Sequence, residues 1–209
     1  LHTYRYNEDI FKKVTVIPEG KNHGLVFLLD WSGSMQRQLL DTMKQLYNLV
    51  WFCRKVQIPF EVYAFTNDSW MLDPRIDQTR QNVYEQLFEH QEIKAGDIVV
   101  PRTFRLVNIL SSQQRGRDLD EMMRLLWLQS QAMIERNVLP LRDFQLSGTP
   151  LNEAIIAIGA VTKHIIKTRK IQKCHIVVLT DGDGFHSEVY GEKDRWDGQR
   201  DKNHIYCHN

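Results

Sequence analysis

At 209 residues the chain is long enough for one sizeable domain. Hydrophobic content of 42% beside 25% charged residues describes a soluble globular chain, and a net charge of +1 gives no global field for nucleic acid or a membrane surface. The apolar runs are far shorter than a membrane span and no secretory signal is visible; the chain opens on Leu1, which reads as a fragment or a processed product.

In chain order, residues 1 to 23 form a mixed, polar arm with a β-like piece, "KKVTVI", before Pro18. "GLVFLLD" (24 to 30) is continuously apolar, the pattern of a strand buried on both faces of a parallel sheet. From Gln38 to Lys55 the residues Leu39, Met43, Leu46 and Val50 recur at helical spacing. "PFEVYAFT" (59 to 66) is β-branched and aromatic, so strand, helix and strand read as a right-handed βαβ unit. Between 67 and 117, "NVYEQLFEH" suggests a short helix and "TFRLVNIL" a strand or a strand-like connection.

"DLDEMMRLLWLQSQAMIERN" (118 to 137) predicts a helix, with Asp118, Asp120 and Glu121 at its positive end. "TPLNEAIIAIGAVTKHIIKTRK" (149 to 170) predicts another, with Thr149 as N-cap and Pro150 as its first residue. Lys163, Lys167, Arg169, Lys170 and Lys173 crowd its end, either as a partner patch or as charge favourable to a helix C-terminus. "HIVVLTDGDG" (175 to 184) is a second apolar strand running into an aspartate. No strand is evident after residue 190, and 191 to 209 reads as a polar tail or the start of a truncated element. The expected fold is α/β: a doubly wound, mostly parallel open sheet with helices on both faces.

Cys53, Cys174 and Cys207 are scattered and odd in number, which is no disulfide framework and fits a reducing compartment. His204, Cys207 and His208 in the tail lack the ligand number and spacing of a zinc site, so a polar tail is the simpler reading. His23, His164, His175 and His186 show no paired ligand spacing.

The chemistry gathers elsewhere. In open α/β sheets ligands bind beyond the carboxyl ends of the strands, and both apolar strands here end in an aspartate, Asp30 and Asp181. In "LVFLLDWSGSM", Asp30, Ser32 and Ser34 alternate along an extended turn, which aims three oxygen-bearing side chains the same way. Gly33 lets the backbone bend between the serines. Thr149 adds a hydroxyl from the loop before the last helix. Two carboxylates and three hydroxyls suit a hard divalent cation such as Mg²⁺, which takes oxygen ligands and keeps water. Neutral hydroxyls would leave the ion electron-poor and ready for a carboxylate from outside, so such a site favours capture of an acidic partner residue over activation of a nucleophile.

These pieces resemble a known family. "DWSGSM" matches the D-x-S-x-S motif of von Willebrand factor A (VWA) domains, "SGTPL" carries their loop threonine and "LTDG" their second aspartate. Together these form the family's metal-ion-dependent adhesion site (MIDAS). The resemblance covers residues 24 to 190, with an insertion in about 67 to 145, and implies a Rossmann-like VWA fold. It implies Asp30, Ser32, Ser34, Thr149 and Asp181 as the metal site, with Mg²⁺ as the ion and Mn²⁺ or Ca²⁺ as alternatives. "IFKKVTVIP", "VYAFTNDSW" and the Met- and Leu-rich helix before the threonine loop resemble the C-terminal domain of cobaltochelatase CobT-type subunits, bacterial or phage. That branch implies a cytoplasmic adaptor (host cytoplasm for a phage protein), non-catalytic by itself, beside an AAA+ ATPase ring and a chelatase subunit, with neither nucleic acid nor membrane as partner.

Each residue also has a plainer reading. Ser32 and Ser34 could cap the following helix, and Asp181 in "TDG" could be a turn aspartate. "DGDG" resembles the start of a calcium loop but lacks its third oxygen ligand and closing glutamate, which leaves Asp183 as a loop residue near the metal edge. Trp31 should point away from the ligands, into the sheet edge or toward a partner. Two other function classes stand beside the binding module. A Mg²⁺-dependent hydrolase or phosphotransferase would need a general base and a phosphate cradle, and neither a P-loop nor a G-x-G-x-x-G is present. An extracellular adhesion domain would call for disulfides or a glycosylation context.

Overall fold

The computed structural model describes residues 22–67, 98–100, 103–135, 141, 144–182, 184, 188–194 and 200–207. The expected "KKVTVI" piece, the "NVYEQLFEH" helix and Asp183 lie outside these residues. Strand β1 (His23–Asp30) is followed by a 3₁₀ turn (Ser34–Arg37), helix α1 (Leu39–Val56) and strand β2 (Phe60–Asn67). The short strand β3 (Ile98–Val99) and strand β4 (Phe104–Ser111) precede helices α2 (Gly116–Ile134) and α3 (Leu151–Arg169). Strands β5 (Lys173–Leu179), β6 (Glu188–Asp194) and β7 (Arg200–Cys207) complete the described elements.

The main sheet is open, in the order β4-β2-β1-β5. β1 pairs in parallel with β2 and with β5, and β4 adds to the β2 edge antiparallel. The chain is therefore α/β with three helices and a mostly parallel four-stranded sheet among the described residues. The continuously apolar reading of β1 has its cause in this position. Phe27 and Leu29 enter one core with Leu46 and Val50 of α1 and Met123 and Leu126 of α2. Val26 and Leu28 enter a second core with Ala154, Ile158 and Ile165 of α3. With side chains alternating across the strand, a strand covered on both faces must be apolar throughout.

The helices follow the spacing that predicts them. Leu39, Met43, Leu46, Val50 and Cys53 are the buried face of α1, and Leu119, Met123, Leu126, Ser130 and Met133 that of α2. Two expectations need correction. α3 begins at Leu151 with Pro150 at the N-cap and no side-chain cap, so Thr149 does not cap it. The fixed φ of proline suits either position, and here the chain turns one residue later, through the Leu151 amide donating to the Thr149 carbonyl at 2.9 Å.

The second correction concerns the tail. Residues 191 to 209, expected to be a polar tail or the start of a truncated element, supply the second half of β6 and all of β7, an antiparallel pair with β3 on the outer side of β6. The register Val189↔Tyr206 and Tyr190↔Ile205 puts β-formers opposite one another. An antiparallel strand with one solvated face can be half polar, so the absence of an apolar run does not exclude it. β5 also differs from a doubly covered strand: it is an edge of the main sheet among the described residues, with Ile176 and Val178 about 40% exposed (41% and 39%). None of the described helices is long and apolar enough to cross a membrane.

Candidate metal centre

The carboxyl ends of β1 and β5 bring the expected residues to one edge. β1 ends at Asp30, whose partner across the parallel ladder is Phe65 of β2. On its other side the β1–β5 register runs through Leu29↔Leu179, so Thr180 and Asp181 leave β5 beside Asp30. The loop carrying Thr149 is docked by backbone. Gly33 donates to the Ser147 carbonyl at 2.8 Å, Ser147 donates to the Trp31 carbonyl at 3.4 Å, and Ser32 and Ser147 form a parallel bridge. The loop after β5 closes the group, because Gly184 lies against Leu151 so tightly that an added Cβ would stand 2.6 Å from the Leu151 Cβ.

Trp31 anchors the far side of the turn. Its indole is buried, donates Nε1–H to the Phe144 carbonyl at 2.8 Å and meets the Phe144 ring edge-on at 6.2 Å. The indole belongs to the core and is not offered to a partner. Gly33 has φ −62° and ψ −32°, a conformation open to any residue, so the bend does not require glycine. Neither serine caps a helix: the 3₁₀ turn has Gly33 and α1 has Gln38 at the N-cap, each without a side-chain cap bond.

The hydroxyls turn toward the carboxylates instead. Ser34 Oγ donates to Asp181 Oδ1 at 3.0 Å. That uses its one proton, so the 2.9 Å contact between the serine hydroxyls runs from Ser32 to Ser34. Thr180 Oγ1 donates to Asp30 Oδ2 at 2.7 Å. The other oxygen, Asp30 Oδ1, is buried and has no hydrogen-bond partner. Asp30 itself is 0% exposed. Burial pushes its carboxyl above the usual carboxylate range; the hydrogen bond from Thr180 opposes this, and the Asp181 charge adds to it. A fully buried carboxylate with one idle oxygen beside a second carboxylate is costly without a compensating cation. Thr66 Oγ1 and Asn67 Oδ1, at the carboxyl end of β2, are also buried without partners.

The arrangement unites Asp30, Ser32, Ser34 and Asp181 directly and brings the Thr149 loop to them through Ser147. Among the described residues no three His, Cys, Asp or Glu side chains gather as a metal-ligating group; this centre is two carboxylates with hydroxyls, an oxygen-only set. The sequence reading missed Thr180. Its signal was a hydroxyl at the end of an apolar strand next to the strand that ends in Asp30. The stacked rings of His23 and His175, 5.8 Å apart at 13°, belong to the opposite end of the sheet. No family model, curated protein or solved structure matches this chain.

Proposed function

We propose that the chain is a Mg²⁺-dependent protein-binding module of the VWA type, in the doubly wound arrangement of that family. Asp30, Ser32, Ser34, Thr149 and Asp181 would hold the ion. The observation that carries this reading is the fully buried Asp30, whose Oδ1 has no partner, beside the Ser32–Ser34–Asp181 chain of hydroxyls and carboxylate. The donor set fits a hard divalent ion: all oxygen, two negative charges, and the rest neutral. Bound there, the ion supplies an electron-poor position for a carboxylate presented by another protein. The protein's own part is to hold the donors in place: Thr180 fixes the Asp30 carboxylate, and the Ser147 bridge fixes the loop of Thr149. The partner class is an acidic side chain on a protein surface, and the motif resemblance makes a cytoplasmic AAA+ ring of a cobaltochelatase-like assembly the first to test.

A thermal melt checks the metal directly. A ligand that binds only the folded form at a hundred times its Kd stabilises by about 2.7 kcal/mol, which for a chain of this length raises Tm by roughly 5–10 °C. Millimolar Mg²⁺ is expected to produce a rise of this order over chelator, and Asp181→Ala to abolish it. An unchanged wild-type Tm in Mg²⁺ overturns the metal reading. Thr180→Val is a second expectation: it removes the donor to Asp30 while keeping the shape, and loss of such an orienting group typically weakens metal affinity about 10–100-fold. Thr180→Ser, titrated by calorimetry beside it, should restore most of the affinity. Equal affinity in Thr180→Val and wild type would leave Thr180 without an orienting role.

A further inference from the structure

On the α1 and α2 face of the main sheet the two helices leave an open groove of about 670 Å³, lined by Tyr47 and Trp51 of α1 and by Met123, Arg124, Trp127 and Leu128 of α2. Its lining is mostly apolar, and two of its apolar side chains lie largely in water: Trp51 is 57% and Leu128 59% exposed. An exposed tryptophan beside an arginine is a usual anchor of protein interfaces. The floor is already built. Tyr47 donates its hydroxyl to the Met123 carbonyl, and its ring lies 6.3 Å from that of Trp127.

The charges around the groove decide what fits. Asp120, its one acidic group, is neutralised by Arg54 at 2.8 Å, and the Arg54 guanidinium lies 4.8 Å from the centre of the Trp51 ring. Arg124 and, beside the adjoining Trp51–Phe52 surface, Lys55 are exposed and take part in no ion pair among the described residues. An apolar trough flanked by uncompensated cations complements apolar anchors flanked by carboxylates. A second copy of this chain would bring Arg124 and Lys55 against their own kind, which disfavours self-association through this face. A trough between two helices takes a third helix, side chains at i, i+4 and i+7 seated in it.

We infer that the α1–α2 groove is a docking site for an acidic amphipathic helix of another protein. It is separate from the metal centre: Trp51 stands twelve residues along α1 from Leu39, about 18 Å at 1.5 Å per residue. The inference therefore goes beyond the metal reading and can fail independently of it.

The test uses two labelled helix-forming peptides of about 15 residues, identical in Leu and Phe at i, i+4 and i+7. One carries Glu on its flanks and the other Lys, and binding is followed by fluorescence anisotropy. The Glu peptide is expected to bind with micromolar Kd, at least about tenfold tighter than its Lys twin. Trp51→Ala and Leu128→Ala, both at exposed positions, should each weaken it about tenfold with the melting curve retained. Arg124→Glu should narrow or reverse the preference between the peptides, and chelator should change nothing. The inference is overturned if neither peptide binds saturably, if both bind alike, or if Arg124→Glu leaves the preference intact. Sedimentation showing a wild-type dimer that Trp51→Ala dissolves would overturn it in favour of a second copy.

Discussion

Arg169→Met is expected to destabilise the protein by about 3–5 kcal/mol, lowering Tm by roughly 6–20 °C for a chain of this length. Arg169 closes α3 and was one of five basic residues that could have formed a surface patch. Its guanidinium instead turns inward onto Glu61 of β2, with the two side chains 14% and 4% exposed. Burial lowers the pKa of this guanidinium from its usual value. Glu61 Oε1 also accepts from Ser111 Oγ at 2.7 Å and Oε2 from Asn108 Nδ2 at 2.5 Å, while Arg169 Nη1 reaches Ser112 Oγ at 3.1 Å. The cluster ties the end of α3 to β2 and β4, at the end of the sheet remote from Asp30. Removing the cation strands a carboxylate that water cannot reach. Removing both charges is different: Glu61→Leu with Arg169→Met takes away the desolvation cost as well, and such replacements are often neutral or better. A double-mutant cycle by urea denaturation should therefore show the double variant more stable than Arg169→Met alone. A single-variant loss below about 1 kcal/mol would mean that the pair is solvated in solution and behaves as a surface pair.

Glu61 shows what a sequence leaves hidden. In "PFEVYAFT" it reads as an ordinary polar position of a strand, and nothing local announces a partner 108 residues away. β1, α1, β2, α2 and α3 were legible because burial imposes a period, two-sided on β1 and 3.6 on the helices, and the period is written in apolar residues. Pairing direction is not written there. β4 could be foreseen as a strand, but only the register with β2 makes it antiparallel. The pair β6–β7 was illegible for a related reason: an antiparallel pair tolerates polar residues on a solvated face, so no apolar run marks it. The grouping of the candidate site residues was legible to the extent that their placement is local. Asp30, Ser32 and Ser34 share one turn, while Asp181 and Thr149 stand at chain positions that the α/β pattern delivers to the same edge. Thr180 was not singled out because a threonine before a turn aspartate has an ordinary explanation in every strand end. Its 2.7 Å bond to Asp30 exists only once β5 lies beside β1.

Asp30→Asn should separate the cost of the site from its use. In chelator the variant is expected to be more stable than the wild type by about 1–3 kcal/mol, the range for relieving a buried group left unpaired. The substitution keeps the size of the side chain and an acceptor for Thr180, removes a buried negative charge near Asp181, and replaces the idle Oδ1 with a donor. In saturating Mg²⁺ the order should reverse, because the wild type gains binding free energy and the variant has lost a ligand. The pH dependence in chelator follows from the raised carboxyl of Asp30. Its protonated form is favoured by folding, so the stability it contributes is complete below its ordinary value of 3.8 and is lost as pH rises through the higher folded value. The advantage of the Asp30→Asn variant over the wild type should thus be largest at neutral pH and shrink on acidification. A variant less stable than the wild type in chelator at neutral pH would show that the Asp30 carboxylate is already compensated without a cation, and the argument from its unpartnered oxygen would fail. Crossing of the two melting temperatures on adding Mg²⁺ would identify Asp30 as a residue held at a cost to the apo fold and repaid by the ion.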